Sequence, residues 1–155
     1  MGEFAQGGII FYSGVTVFST GTTVFIAALE DIEIPLYWGC YSTAVSGTST
    51  GIGTGSENTS LIIDICTGNT MIAANVCANY SFSGYTDWFL PSKDELNQMY
   101  LQQDLIGGFD IYSNYWSSSQ NMPETAWMQY FLNGTQSNLG QKDQLYKVRP
   151  IRIMT

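Results

Sequence analysis

One helix signal in this chain is strong enough to organise the interpretation of the rest of the sequence. Ser92 and Glu95 have the spacing of a capping box, in which each side chain bonds the backbone N–H of the other residue. The apolar stripe that follows at helical spacing consists of Leu96, Met99 and Tyr100. The pattern predicts a helix that runs to about Leu105 and ends at Gly107 and Gly108.

The first part of the chain has strand character. Residues 8–12 are β-branched and aromatic after a glycine pair, which predicts a first strand. Residues 15–18 and 22–28 predict a hairpin whose turn lies near residues 19–21. Residues 29–36 contain three acids and a proline, and we expect them to form a loop.

The stretch between this hairpin and the capped helix contains a loop-like part and then two parts with a helical pattern. Residues 47–56 are Gly, Ser and Thr apart from one Ile, which predicts a loop within the domain, most simply a flexible surface loop. Residues 58–66 and 70–80 carry apolar side chains at helical spacing. They predict either one helix that is broken around Gly68 or two separate helices.

Three more strand-like segments follow the capped helix. They are residues 112–119, 126–132 and 148–153. We predict turns at residues 121–124 and at residues 133–134, where Asn-Gly is a strong hairpin signal. Strands therefore come first, helices in the middle and strands last, an order that predicts the α+β class.

Composition narrows the kind of protein this is. A net charge of −8 with only five Lys and Arg argues against nucleic acid and anionic membranes as partners. The absence of histidine removes Ser-His-Asp triads and His-based zinc sites. Only 12% of the residues are charged, and neutral polar residues replace them, as in proteins outside cells or on virions. The length predicts one domain over residues 1–155.

The sequence shows no targeting or membrane segment. No apolar run reaches the roughly 18 residues of a membrane span. The first residues lack the basic region and apolar core of a signal peptide. We expect either that a signal has been removed or that the protein leaves its cell by lysis within a particle.

The three cysteines leave the redox compartment open. Cys40, Cys66 and Cys77 lie too far apart in sequence for a zinc ribbon. An oxidised pair of Cys66 and Cys77 with Cys40 left over is one interpretation. Three buried free thiols are the other.

Six short motifs occur along the chain. They are residues 7–12 (GGIIFY), residues 38–40 (WGC), residues 88–96 (WFLPSKDEL), residues 115–119 (YWSSS), Ala126 and Trp127 with Phe131, and Val148 and Arg149 with Ile151 and Arg152. Taken together and in this order, they resemble the C-terminal domain family of bacterial collagen-like adhesins. The resemblance covers nearly the whole chain.

The resemblance implies a fold and a function. The fold is C-type-lectin-like, with paired terminal strands, one to three helices and a loop-rich second half. The function is ligand binding by an adhesin domain on a virion tail, a virion surface or a bacterial cell surface. We expect a host-surface protein or glycan as partner, with assembly into a homo-oligomer such as a trimer, or into a larger fibre. The alternative is a structural fibre, decoration or capsid-associated subunit that binds other copies or virion proteins.

A distant similarity also runs to the formylglycine-generating enzymes. Those enzymes hold copper with a cysteine pair late in the chain, and here no cysteine follows Cys77. We therefore expect no enzymatic activity, no cofactor and no metal site.

The last segment contains the candidate ligand-binding residues. In one subset of the family, retroelements diversify this segment, and residues 114–153 resemble it because scaffold-like positions alternate with positions of unrelated chemistry. From the latter positions we predict a binding surface that consists of Met122, Glu124, Met128, Tyr130, Leu132, Thr135, Ser137, Leu139, Asp143, Gln144 and Tyr146. Tyrosine and methionine suit such a surface, since one is rigid and amphipathic and the other adapts its shape. An ordinary mixed surface is the plain alternative. Met128, Tyr130 and Leu132 alternate along the chain and should share one strand face.

Two tryptophans and two arginines in the same region have structural interpretations. Trp116 and Trp127 occupy scaffold-like positions, so we predict core packing, with sugar stacking as the alternative. Arg149 and Arg152 should hold the last strand by pairing with acids, for which the candidates are Asp87, Asp94 and Glu95.

A short acidic cluster consists of Glu30, Asp31 and Glu33. Its carboxylates are ligands that calcium prefers, but the Glu-Pro-Asn and Trp-Asn-Asp motifs of calcium-dependent lectins are absent. We predict a solvated acidic loop.

Overall fold

The computed structural model describes all residues from 1 to 155, which form seven strands and four helical segments. In chain order these are β1 (Phe4–Ala5), β2 (Gly8–Thr16), β3 (Ser19–Ala27), α1 (Gly55–Ile65), α2 (Ala73–Ala78), α3 (Lys93–Leu101), α4 (Gln103–Ile106), β4 (Asn114–Met122), β5 (Thr125–Tyr130), β6 (Gln136–Gln141) and β7 (Ile151–Ile153). One antiparallel sheet has the order β1-β2-β3-β7 and the other the order β4-β5-β6. The α+β class is confirmed.

The first and last strands share a sheet but do not pair. β7 pairs with β3, where Phe25 lies opposite Ile153, and β1 pairs with the other edge of β2. The expectation of paired terminal strands is therefore wrong, because the hairpin places β3 between β2 and β7. The chain ends still meet, since the Gln6 side chain donates a hydrogen bond to the carbonyl of Thr155 at 2.7 Å.

The first hairpin is confirmed, but its turn lies earlier than the sequence suggested. The turn is formed by Val17 and Phe18, and residues 19–21 already belong to β3. Thr16 lies opposite Ser19, so the small polar residues that resembled a turn continue the ladder.

The two helical patterns in the middle of the chain form two helices. α1 and α2 are separated by a turn that contains Gly68, whose φ of +86° is a conformation that glycine adopts readily. The longest helix, α1, has 11 residues, and none of the helices combines the length and apolarity of a membrane span.

The capping box of α3 is confirmed in both directions. The Ser92 hydroxyl accepts the N–H of Glu95, and the Glu95 carboxylate accepts the N–H of Ser92 at 2.7 Å. The helix ends earlier than predicted, because the backbone leaves the helical conformation at Gln102, and the short α4 completes the run to Gly107. The chain thus has four helical segments where one to three were expected.

The second sheet contains a strand that the sequence did not indicate. The 112–119 strand begins at Asn114 and extends to Met122, and the next strand is confirmed as β5. β6 was missed because its residues, Gln, Ser, Asn, Leu, Gly and Gln, have low β-propensity. The turn before β6 requires Gly134, since a side chain there would collide with the ring of Tyr100.

The core consists of two main clusters of buried side chains. The larger one surrounds Trp38 and Trp116, and the second surrounds Tyr115 and Phe131. The core interpretation is confirmed for Trp116, which is fully buried. It is wrong for Trp127, which is half-buried beneath the Lys93 ammonium at a register irregularity between β5 and β6.

Two buried arginines hold the last segment of the chain. The Arg149 Nε lies 2.8 Å from the Asp31 carboxylate, and Arg152 makes a two-pronged pair with Asp87 at 2.6 and 3.0 Å. The predicted pairing with acids is confirmed for Asp87. The partner of Arg149 lies in the loop after β3, so both arginines hold the end of the chain to loops and not to α3.

A disulfide joins Cys40 and Cys66, whose Cα atoms are 5.3 Å apart. The alternative pair of Cys66 with Cys77 is wrong, and so is the set of three free thiols. Cys66 follows the end of α1 and meets the loop after Trp38, whereas Cys77 is buried within α2. Burial raises the pKa of the Cys77 thiol far above its usual range.

The glycine-rich loop, residues 47–54, is anchored to the protein interior. The buried carboxylate of Glu95 accepts the N–H of Gly53 at 2.8 Å and of Gly55 at 3.3 Å. The side chain of Asn58 also bonds the loop backbone. The prediction of a loop within the domain is confirmed for residues 47–54, whereas Gly55 and Ser56 already belong to α1. Gly55 is required there, since a side chain would collide with the Glu95 carboxylate.

Replacing both bridged cysteines, Cys40→Ala with Cys66→Ala, should lower the free energy of unfolding by about 3 kcal/mol. The bridge spans a sequence separation of 26 and restricts the unfolded chain. We expect Tm to fall by about 10 °C, measured by circular dichroism. Dithiothreitol should reproduce the loss in the wild type and leave the double variant unchanged. A wild-type Tm that is insensitive to complete reduction would contradict the stabilising role of the bridge.

The free energy of unfolding should fall as pH rises, because Glu95 titrates. Burial raises the pKa of this carboxyl to about 7 from a usual 4.5, against the opposing effect of its backbone donors. Between about pH 4.5 and 7 the folded protein therefore keeps a proton that the unfolded chain has lost. The free energy of unfolding falls as pH rises through this window, and the loss is complete above pH 7. The difference in unfolding free energy between wild type and Glu95→Gln should fall across that window by up to about 3 kcal/mol. Urea titrations of both proteins at each pH measure it, and a flat or rising difference would count against the assignment.

Candidate ligand-binding face

The sheet of β4, β5 and β6 has one face against helix α3. The side chain of Gln129 donates to the Asn97 carboxamide at 2.8 Å, and that of Gln136 donates to the Lys93 carbonyl at 3.0 Å. Both glutamines are neighbours in the register of β5 and β6. These bonds set the orientation of the sheet relative to the helix that the capping box begins.

The neighbouring register positions point to the opposite face, since side chains alternate along a strand. Met128 lies between Trp116 on β4 and Ser137 on β6. Tyr130 lies opposite Asn114, two positions from Trp116. Three of the predicted binding residues thus form a cross-strand group above a buried tryptophan, and none of the three is itself buried.

Tyr146 joins this group from the segment after β6. Its ring centroid is 4.5 Å from that of Trp116, and its backbone pairs with Leu36 at 2.9 and 3.1 Å. Burial of its ring raises the pKa of the Tyr146 hydroxyl, which stays neutral and able to donate a hydrogen bond at physiological pH. We call Met128, Tyr130, Ser137 and Tyr146 the sheet face.

The remaining predicted residues surround the sheet face on turns and on the edge strand. Met122 is the last residue of β4, and Glu124 lies in the turn after it. Leu132 and Thr135 lie between β5 and β6. Leu139 lies on β6, and Asp143 and Gln144 lie in the turn after it. All of the eleven predicted residues are exposed or half-buried, and Leu139 is 68% exposed.

The prediction of one shared strand face is only partly correct. Met128 and Tyr130 share a face of β5, but Leu132 does not, because the strand ends at Tyr130 and the chain turns. Phe131 is buried at this point, and its ring centroid lies 4.4 Å from that of Tyr115. This contact anchors the turn to the core.

Lys142 supports the turn after β6, and sequence analysis missed it. Its buried ammonium donates to the Thr43 carbonyl at 3.0 Å and to the Gln120 carboxamide at 2.8 Å, and lies 4.4 Å from the Trp38 ring centroid. Burial lowers the pKa of Lys142 to about 8, against the opposing effect of Glu124. Its sequence neighbourhood resembles an ordinary solvated turn, so the sequence carries no signal for this role.

The acidic cluster does not form a shared site. Asp31 accepts hydrogen bonds from Arg149 at 2.8 Å and from the Tyr115 hydroxyl at 2.6 Å, while Glu30 and Glu33 are exposed. Burial and the bond to Asp31 raise the pKa of the Tyr115 hydroxyl. The structure contains no group of three or more acidic, cysteine or histidine side chains placed to hold a metal ion.

Fold and face together define a class of protein, an α+β scaffold with a disulfide that presents one half-buried, accessible sheet face and its surrounding turns. The chain belongs to the Lcl C-terminal domain family, whose model matches residues 28–152. This membership confirms the resemblance to the C-terminal domain of bacterial collagen-like adhesins, an adhesin-like family.

Among solved structures, the chain is similar to a fimbrial protein from Bacteroides ovatus. The TM-score is 0.56 at 15% identity, and the match covers 82% of this chain and 35% of the fimbrial chain. At this identity the likeness concerns the fold alone, and this chain spans about a third of the length of that protein. No curated protein matches the chain.

Proposed function

We propose that this chain is an adhesin domain that binds a host-surface protein or glycan with the sheet face and its surrounding turns. The observation that carries the proposal is the cross-strand group of Met128, Tyr130 and Ser137, which Tyr146 completes above the buried Trp116. Rigid aromatic area, an adaptable thioether and hydroxyl groups on a firm base are the usual ingredients of a binding surface.

The location outside the cell has independent support. The family is adhesin-like and the similar solved structure is a fimbrial protein. The Cys40–Cys66 disulfide adds to this, because such bridges persist in oxidising surroundings such as the cell surface or a virion. We propose display on a bacterial surface or on a phage tail, on a scaffold of the C-type-lectin type.

The proposed mechanism is adhesion without turnover. The sheet face offers two phenols, a thioether and a hydroxyl, which suit recognition by shape and neutral hydrogen bonds. A single small face of this kind binds weakly, so several copies on one particle would supply the affinity. A trimer or a fibre would provide such copies.

We also propose that residues 114–153 are diversified by a retroelement. Burial supports this, because most scaffold-like positions are buried and all of the predicted binding positions are accessible. The scaffold-like positions that are buried are Trp116, Ser117, Ser118, Ser119, Ala126, Phe131, Val148, Arg149 and Arg152. Trp127, Asn133 and Gly134 are scaffold-like but accessible. All of the eleven predicted binding residues are accessible, and of these Met128 and Tyr146 also pack against the core cluster around Trp116.

The DNA around the gene tests the diversification proposal. We expect a near-copy of the stretch that encodes residues 114–153, differing only at adenines, beside a reverse transcriptase gene. A neighbourhood that contains neither would contradict diversification and leave a fixed adhesin or a structural particle protein.

Binding measurements with a multivalent form of the domain test the adhesin proposal. The probes are a glycan microarray and an array of extracellular protein domains. For any ligand found, Tyr130→Ala combined with Ser137→Glu should weaken binding at least tenfold, or by about 1.4 kcal/mol. Both side chains are accessible, so the fold should be retained. Tyr41→Ala is the matched control, since Tyr41 is 46% exposed and lies outside the predicted surface.

Unchanged binding by the double variant would contradict the role of the sheet face.

The second candidate function, a structural subunit, has one observation in its favour. β6 forms an open edge of its sheet and carries no charged residue, and such edges pair readily with other strands. Sedimentation velocity on the untagged chain separates the two functions, because open-ended growth without a ligand would favour the structural subunit, whereas a monomer or a closed trimer would favour the adhesin.

A further inference from the structure

A second surface of the molecule is concave. A depression of about 780 Å³ lies between Ile32 and helix α2 and is bordered by Met71. Met71 also lines a second depression, of about 370 Å³. Pro35 and Leu145 line both this second depression and a third one, of about 320 Å³. Because each depression shares lining residues with the next, the three form one continuous surface, which we call the groove.

The middle of the groove is apolar and exposed. Met71 and Leu145 are each 51% exposed, Ile34 is 48% exposed and Tyr37 is 43% exposed, and all four line the same depression with Pro35. Single exposed apolar side chains are ordinary on protein surfaces, but a contiguous set around one depression marks an interaction site.

The groove carries almost no charge in a strongly acidic protein. The chain has thirteen acids, yet Lys147 is the one charged side chain that lines the three depressions. Lys142, Arg149 and Arg152 are buried, so Lys147 is also one of only two cations with an accessible side chain. Its ammonium lies 3.9 Å from the Asp110 carboxylate, a long ion pair without a hydrogen bond, and the residue lines the third depression.

The polar groups at the two ends of the groove suit a peptide backbone. Asn75 and Asn79 line the first depression, where the Asn79 carboxamide donates to Asn75 and that of Asn75 donates to the Thr70 carbonyl. Ser113 and Asn114 line the third, where the Ser113 hydroxyl donates to Asp110. A carboxamide has both donors and an acceptor, so it can bond the N–H and the C=O of a peptide unit.

We propose that the groove binds an extended segment of a partner polypeptide. An apolar side chain of the segment occupies the depression between Met71 and Leu145, and a carboxylate near one end pairs with Lys147. This inference goes beyond the adhesin face, since the groove includes only Tyr146 of the eleven predicted binding residues.

A library of random peptides displayed on phage tests the proposal. Peptides of about twelve residues are suitable because they span about 40 Å when extended. Selection on the immobilised domain should enrich sequences that combine an apolar residue with Asp, Glu or a free C-terminus. Synthetic versions of the enriched peptides would then be measured by fluorescence anisotropy.

Three variants locate the bound peptide. Met71→Glu and Leu145→Glu should each weaken binding at least tenfold, because each places a carboxylate in the apolar depression. Lys147→Gln should abolish the preference for an acidic peptide over its amidated counterpart. Leu101→Glu is the matched control, since Leu101 is 59% exposed at the end of α3 and outside the groove, and it should bind like the wild type.

Two results would overturn the proposal. One is a selection that enriches no peptide, or only peptides whose binding Met71→Glu and Leu145→Glu leave unchanged. The other is a glycan from the microarray whose binding the same two substitutions abolish, which would make the groove a sugar site. The sheet face is scored separately by Tyr130→Ala combined with Ser137→Glu, because both residues lie outside the groove.

Discussion

The buried carboxylate of Glu95 connects the parts of this fold that lie far apart in sequence. It accepts backbone N–H groups from Ser92, Gly53 and Gly55, and thereby joins the start of α3, the glycine-rich loop and the start of α1. Ser119 on β4 reaches the same junction, since its hydroxyl accepts the backbone N–H of Lys93, the first residue of α3. Because α3 also supports the β4-β5-β6 sheet through Gln129 and Gln136, this carboxylate contributes to the orientation of the sheet face.

The way the chain uses its few cations explains the character of its surface. Three of five Lys and Arg side chains, Lys142, Arg149 and Arg152, are buried and bind carboxylates, carbonyls and aromatic rings inside the molecule. Burying a charge is tolerated when it is paired and hydrogen-bonded. The consequence is an exterior whose recognition surfaces have little positive charge, so binding there depends on shape, apolar area and neutral hydrogen bonds.

Sequence reasoning was most accurate for the capping box, where the determining interaction is local, and least accurate for pairings between distant segments. The capping box of Ser92 and Glu95 depends on residues three positions apart, and it was predicted correctly. The Cys40–Cys66 bridge and the position of β7 depend on packing between distant segments, which no spacing rule encodes. For the candidate site, family resemblance indicated the accessible residues, whereas the support from Lys142 became visible only in three dimensions.

The two proposed recognition surfaces meet at Tyr146. Its ring packs on the buried Trp116 beneath the sheet face, and the same residue lines one end of the groove. A partner large enough to cover both surfaces would enclose Tyr146 near the centre of its contact, where binding energy concentrates in protein interfaces. A substitution at this position would therefore change both surfaces at once, whereas substitutions at Met128 or Met71 would change only one. If the segment is diversified, Tyr146 is the position at which variation on the sheet also alters what the groove accepts.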